Sequence, residues 1–261
     1  MVEAPPSEFI DVHGVKTHVR QRGSGEPVLI LHGAGGAGLW NPYYEALSKR
    51  FHLIVPDHPG FGTSDRPDWL ETMDDMLYHY IDLLELLGIP RLKVAGTSLG
   101  GWMAAELAVA HPHVVERMVV IDPAGLKIPG MFLPDLFSMT EEEHTRIIFH
   151  DQELATKQIP VTPSSEATLQ RIKNLTTFAR LSWNPYLYNP RLLRRLHRVK
   201  APTLVVWGRE DRLIPIENSK LWLEGIPHAR LETIEECGHV PHRERPDELT
   251  RIVADFLSEG S

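Results

Sequence analysis

Ser98 stands at the centre of Gly96-Thr97-Ser98-Leu99-Gly100, directly after the apolar run Leu92-Lys93-Val94-Ala95 and directly before a helix-forming stretch from Trp102 to Ala110. A serine held at such a strand-to-helix turn adopts a strained backbone, and glycines two residues to either side remove the Cβ atoms that would collide. Its hydroxyl then projects over the sheet edge, with the free N–H groups of the new helix directed at the same point. That arrangement suits nucleophilic attack on a carbonyl carbon, which needs a base, an acid that orients the base, and donors for the oxyanion. Asp211 and His239 follow in the required order: Asp211 ends Gly208-Arg209-Glu210-Asp211 after the run Thr203 to Trp207, and His239 ends Cys237-Gly238-His239 after Ala229 to Ile234. On this reading His239 takes the proton of Ser98 Oγ and returns it to the leaving group, while Asp211 fixes the imidazole tautomer. The backbone N–H of Leu99, the residue after the serine, is one oxyanion donor.

Each role has a rival. The chain carries 14 histidines, and His242 lies close behind His239, but it follows Pro241 and lacks the preceding glycine. His239 and His242 could be read as a metal pair, yet no third ligand of suitable spacing follows, and the serine needs no metal. His32 fits the shaping of a loop better than proton transfer. Asp122 competes with Asp211, because it too ends a strand-like run, in Val120-Ile121-Asp122-Pro123. Cys237, the single cysteine, reads as a small buried filler rather than a reactive thiol. Gly33-Ala34-Gly35-Gly36-Ala37-Gly38 spells G-x-G-x-x-G after a strand, with Asp57 at the end of the next, so a nicotinamide-dependent oxidoreductase is a distant alternative. That reading leaves Ser98, Asp211 and His239 unexplained.

The elements that must position these residues show in the periodicity. Phe9 to Val12 and Val15 to Arg20 alternate around His13-Gly14, an antiparallel hairpin. Short continuous apolar runs then recur at Val28 to Leu31, Leu53 to Val55, Leu92 to Ala95, Val115 to Ile121, Leu204 to Trp207 and Ala229 to Ile234, with helical stretches at Met73 to Leu87, Trp102 to Ala110, Ile216 to Leu223 and Pro246 to Leu257. Such a pattern predicts an α/β fold with a mostly parallel sheet of about eight strands, covered by helices on both faces. Between Asp122 and Pro202 the alternation stops, which predicts an insertion over 125–201 in a core made of 1–124 and 202–261. Within it, Glu141 to Lys157 and Ser165 to Ser182 can be helical, with Thr140 or Ser165 as caps.

With 261 residues, 42% of them hydrophobic, the chain can bury a sizeable core. Its 27 basic against 35 acidic residues, a net charge of -8, and the lack of a basic cluster argue against nucleic-acid and anionic-membrane partners. Met1 to Pro6 has neither a basic nor an apolar leader region, so a cytoplasmic protein, monomeric or homodimeric, is expected. Asn174-Leu175-Thr176 matches a glycosylation sequon, which carries little weight without a secretory signal.

The chain resembles the α/β-hydrolase family. The motifs that carry the likeness are His32-Gly33-Ala34-Gly35, Asp57-His58-Pro59-Gly60-Phe61-Gly62, Gly96 to Gly100, Gly208 to Asp211 and Gly238-His239, which together span Glu8 to Leu257 in the family's order. The resemblance implies that the backbone N–H of Ala34 is the second oxyanion donor and that the insertion is a helical lid. Trp40, Met131, Phe132, Phe137, Phe178, Trp183 and Val240 are then pocket candidates, and Arg146, Arg171 and Arg180 candidates for a substrate carboxylate. Serine rather than aspartate at the turn points away from epoxide and haloalkane hydrolysis and toward acyl transfer to water, with no cofactor. A small, largely apolar ester or lactone is the first expectation for the substrate. The Leu39-Trp40-Asn41 stretch also resembles hydrolases that break a carbon–carbon bond in ring-cleavage products, but Val240 and Thr97 stand where that branch typically has tryptophan and asparagine. A non-catalytic ligand receptor on the same fold is the remaining alternative. If the glycine-rich loop binds no dinucleotide, millimolar NAD or NADP leaves the melting temperature unchanged; a saturable rise in Tm would restore the oxidoreductase reading.

Overall fold

The opening hairpin forms where the alternation asks for it. In the computed structural model, which describes residues 3–159 and 161–259, β1 (Ser7–Val12) and β2 (Val15–Arg22) pair antiparallel around His13 and Gly14, at φ 50° and 89°. Two successive left-handed residues give the tight turn whose twist matches the strands. Met1 and Val2, part of the segment read for a leader, lie outside the described residues, as do Pro160 and the final pair Gly260 and Ser261.

Six further strands follow: β3 (Pro27–Leu31), β4 (His52–Pro56), β5 (Leu92–Thr97), β6 (Val115–Ile121), β7 (Thr203–Gly208) and β8 (Arg230–Ile234). They make one eight-stranded sheet in the order β1-β2-β4-β3-β5-β6-β7-β8, in which β2 runs antiparallel to both neighbours and every pairing from β4 to β8 is parallel. Side chains alternate across this sheet. Leu29, Leu31, Val94 and Val120 enter a core shared with α2 (Met73–Leu86) and α3 (Leu99–Ala110), whereas Val28, Ile30, Val119 and Val206 face α1 (Pro42–Leu47) and α9 (Pro246–Ser258). Helix α1 was not expected from periodicity; Asn41 caps it by accepting from the Tyr44 N–H at 3.0 Å, with Pro42 in its first turn. No helix among the described residues is long and apolar enough to cross a membrane.

The described residues between β6 and β7 hold three α-helices and a short 3-10 helix at Leu196–Arg198. Thr140 caps α4 (Glu141–Ile148) through a reciprocal box with Glu143, Asp151 caps α5 (Gln152–Gln158), and Ser164, one residue before the expected Ser165, caps α6 (Ser165–Ser182). The single helix expected over Glu141 to Lys157 is in fact broken at Phe149, which is extended and fully buried. Beyond β7, a short 3-10 turn at Ile216–Asn218 leads into α7 (Ser219–Gly225), and α8 (Pro241–Glu244) precedes α9.

At the turn between β5 and α3, Ser98 takes φ 55° and ψ -114°, a left-handed strain that packing must hold in place. A Cβ on Gly96 would lie 2.2 Å from the Gly100 carbonyl oxygen, and one on Gly100 would lie 2.0 Å from that of Leu31. Backbone cannot yield to that degree without moving α3 off β3. Gly100→Ala is therefore expected to lower unfolding free energy by about 3 kcal/mol or more in urea titration. A loss below about 1 kcal/mol would show that the approach is not tight.

Candidate functional site

The turn at Ser98 is one of four that open on the same sheet edge. Ser98 follows β5, Asp122 follows β6, Asp211 follows β7 and His239 follows β8, and these strands are consecutive neighbours. The edge is tied together laterally: the Ser98 N–H donates to Ile121 O at 2.9 Å, and the Asp122 N–H to Val206 O at 2.9 Å. Gly208 passes so close to the β8–α8 loop that a Cβ there would lie 2.1 Å from Gly238 O, which brings the Asp211 and His239 loops into contact.

His239 and Asp211 are paired. His239 Nδ1 lies 2.7 Å from Asp211 Oδ2, while Asp211 Oδ1 accepts from the N–H groups of Leu213 (2.9 Å) and Ile214 (3.0 Å). A carboxylate can only accept, so Nδ1 carries the proton and Nε2 is left as the basic nitrogen. His242, the rival base, is half-buried on α8, and its imidazole is pushed down to about 3, chiefly by desolvation and then by the charge of Arg243. It is neutral but has no acid partner on its buried Nδ1 among the described residues. Cys237 is fully buried, and burial pushes its thiol far above the ordinary range, so it is a filler.

A second set of contacts sets the loop after β3. The His58 N–H donates to His32 Nε2 at 3.0 Å, so His32 Nδ1 carries the proton and donates to Gly33 O at 2.7 Å. His58 Nε2 faces the His32 carbonyl at 2.9 Å and must donate to it, which leaves His58 Nδ1 to accept from Tyr80 OH. Burial holds both imidazoles neutral, His32 at about 3 and His58 well below the ordinary value. The Gly36 N–H also donates to Gly33 O, at 3.0 Å. With that carbonyl fixed, the Ala34 N–H must point the opposite way across the same planar peptide. Gly33 itself lies against the serine, since a Cβ there would be 3.4 Å from Ser98 Cβ. The glycine-rich loop ends before α1 begins at Pro42, so its glycines do not open a helix as a dinucleotide site requires.

The segment between β6 and β7 meets both loops. The His239 N–H donates to Ile148 O at 2.8 Å, and a Cβ on Gly238 would lie 2.6 Å from that oxygen, so the break after α4 is where the chain docks on the His239 loop. Glu244 clamps the contact, accepting from the Gly238 N–H at 2.7 Å and the Asp151 N–H at 2.8 Å. On the other side Asn174 donates to Gly35 O at 3.0 Å and accepts from the Gly62 N–H at 3.1 Å. That buried position explains why the sequon is not a surface feature.

Sequence reasoning missed His144, Glu244 and Asn174. His144 shares the buried face of α4 with Thr145 and Ile148, a spacing that could have revealed it. Its imidazole is pushed down to about 4, first by burial and then by His239 and Arg171, which places both within electrostatic reach. Of the three arginine candidates, Arg146 pairs with Glu142 at 2.8 Å, exposed Arg180 donates to the Asp68 and Leu70 carbonyls at 3.4 and 3.3 Å, and half-buried Arg171 donates to Met139 O at 3.4 Å. The aromatic candidates scatter. Phe137 and Phe178 pack together with their rings tilted, Val240 is buried in the same core, and Met131 Sδ accepts from Asn218. Phe132 is 81% exposed and Trp183 59%, while Trp40 is buried against Tyr44 in the core of α1 and α9, its indole N–H donating to Glu45.

A family model described as the alpha/beta hydrolase family matches residues 28–252, and the chain belongs to that family. It is 30% identical over 272 residues to a 2-hydroxy-6-oxo-6-phenylhexa-2,4-dienoate hydrolase of Comamonas testosteroni, across 95% of this chain and 93% of that one. Among solved structures, a meta-cleavage product hydrolase from Pseudomonas fluorescens, complexed with acetates, superposes with a TM-score of 0.81 at 26% identity over 99% of each chain. A membrane phospholipase A, a bacterial virulence factor, superposes at 0.82 with 25% identity over 97% of this chain and 85% of that one.

The buried and half-buried neutral histidines make stability fall in acid. His32, His79, His144 and His242 have folded values of about 3 to 4 against an ordinary 6.5, so the unfolded chain takes up protons first and stability is lost as pH falls below 6.5. Each contributes up to about 1.4 kcal/mol per pH unit in that window. His79→Gln, which can keep a bond to Thr17, is expected to flatten the slope of unfolding free energy between about pH 6.5 and 4.5 by about that amount. An unchanged slope would contradict the burial of a neutral imidazole there.

Proposed function

We propose that this protein is a serine hydrolase that cleaves the carbon–carbon bond beside a ketone in a ring-cleavage product, a vinylogous 1,5-diketone acid. Ser98 is the nucleophile, His239 the base and Asp211 its orienting acid; the N–H groups of Ala34 and Leu99 hold the oxyanion. Residues 125–201 act as a lid over a core of 1–124 and 202–261. The observation that carries the reading is the likeness, across almost the whole of both chains, to a hydrolase whose named substrate contains no ester or lactone bond. Water can divide such a dienoate only beside its 6-oxo carbon. The ester or lactone expected first from the sequence therefore becomes the second reading, favoured by Thr97 and Val240 and by the likeness to a phospholipase.

His239 Nε2 removes the Ser98 proton as Oγ adds to the ketone carbon, and the two backbone donors take the negative charge. Collapse breaks the carbon–carbon bond. For this the substrate's 2-hydroxyl proton must first move to carbon 5, giving the diketone; the electron pair then leaves on that carbon as the dienolate of the keto acid and is quenched by the proton that His239 holds. Water, activated by the same imidazole, then frees the acyl group from Ser98. An ester needs nothing more than this machinery, but the diketone acid also needs a cation for its carboxylate. Arg171, within electrostatic reach of the neutral His144, is the group that supplies one.

The test compares kcat/KM for a 2-hydroxy-6-oxo-dienoate, short p-nitrophenyl esters and simple lactones. The dienoate is expected to win by at least about 100-fold, or about 2.7 kcal/mol of transition-state discrimination. Arg171→Leu is expected to raise KM for the dienoate about tenfold and to leave a neutral ester unaffected. Esters or lactones turned over better than the dienoate would transfer the assignment to acyl-ester hydrolysis.

A further inference from the structure

Asp122 has no task in this mechanism, yet it occupies the centre of the site. It is fully buried, and its backbone is held at φ 44°, left-handed for a residue with a side chain. Its Oδ1 accepts from the Gly208 N–H at 2.8 Å, whereas its Oδ2 is buried with no donor. Ligating atoms of Asp122, Asp211 and His239 all lie within 4.8 Å of one another.

Two carboxylates that close, in a dry pocket, cannot both stay ionised. The donors decide which one holds the charge. Asp211 receives three N–H groups, from His239, Leu213 and Ile214, each of which favours its anion. Asp122 receives one. Glu244 and the Cys237 thiol, which also face this space, bring no positive charge to it.

We propose that Asp122 is a positioning residue of the site, a neutral carboxylic acid whose Oδ2–H donates to the Asp211 carboxylate. The added proton removes both faults at once: the orphaned Oδ2 becomes a donor, and the two acids cease to repel. Burial and the charge of Asp211 push the Asp122 carboxyl well above the usual carboxylate range, in the direction this requires. Asp211 is then gripped from both sides, by His239 and by Asp122, so the imidazole is aimed by a fixed anion. The positioning role rests on the catalytic roles given above; the protonation does not.

Infrared spectra of Ser98→Ala protein at neutral pH, with carbon-13 aspartate to assign the band, test the proton directly. The carbonyl stretch of a neutral carboxylic acid is expected, and is expected to vanish in Ser98→Ala/Asp122→Asn. Identical spectra in the two proteins, or a stoichiometric bound metal that balances the charge instead, would overturn the proposal. In the active protein, asparagine keeps an N–H donor toward Asp211 and an oxygen toward Gly208, and alanine keeps neither. Asp122→Asn is expected to retain at least about tenfold more kcat than Asp122→Ala at similar KM. Equal damage from both would show that the charge of Asp122, not its hydrogen bond, matters. Because the infrared readout needs no turnover, it is decided separately from the choice of substrate.

Discussion

The site depends on one close approach, that of Gly100 to the carbonyl of Leu31, where even a methyl group would lie 2.0 Å from the oxygen. Leu31 ends β3 and pairs with Gly96 at the end of β5. That contact fixes the start of α3 against the strand that leads into the Gly33 loop. Were it looser, Ser98 and Gly33 would separate. The left-handed serine is the visible cost of the approach, and the parallel sheet, buried on both faces, absorbs it.

Around that fixed point the site is assembled from hydrogen bonds whose direction is forced. Acceptor-only neighbours determine the tautomers of His32, His58 and His239, so each ring can play only one part. The outcome is a stack of neutral imidazoles behind Gly33 and, on the other side, a His239 ring held by Asp211. Two contacts join this edge to the helices above it: Ile148 and Glu244 at the His239 loop, and Asn174 at the Gly35 loop. A shift of α4 would therefore be felt at the His239 loop, and one of α6 at the Gly35 loop.

The parts legible in the sequence are those enforced by local backbone geometry. Glycines at 96, 100, 208 and 238 announce close approaches, and continuous apolar runs announce strands buried on both faces; the sheet and all four edge residues follow from them. The break in the helix after Ile148 was invisible, because its cause is a hydrogen bond to His239, 91 positions away, rather than a local breaker. Aromatic content likewise says nothing about direction, which is why Trp40 lies under α1 and Phe132 faces solvent. Glu244 lies in a run of charged residues, where nothing local marks it out, and it is a buried clamp. Choosing a substrate needed information that no motif holds: Thr97 and Val240 pointed to esters, and the likeness of the whole chain pointed to a dienoate.

That Ser98 is the covalent nucleophile is the claim on which the rest stands. Intact-protein mass spectrometry after treatment with a fluorophosphonate tests it most directly. One adduct per chain, mapped to the peptide that contains Ser98 and missing from Ser98→Ala, is the expected result. An adduct of the same stoichiometry in Ser98→Ala would contradict it.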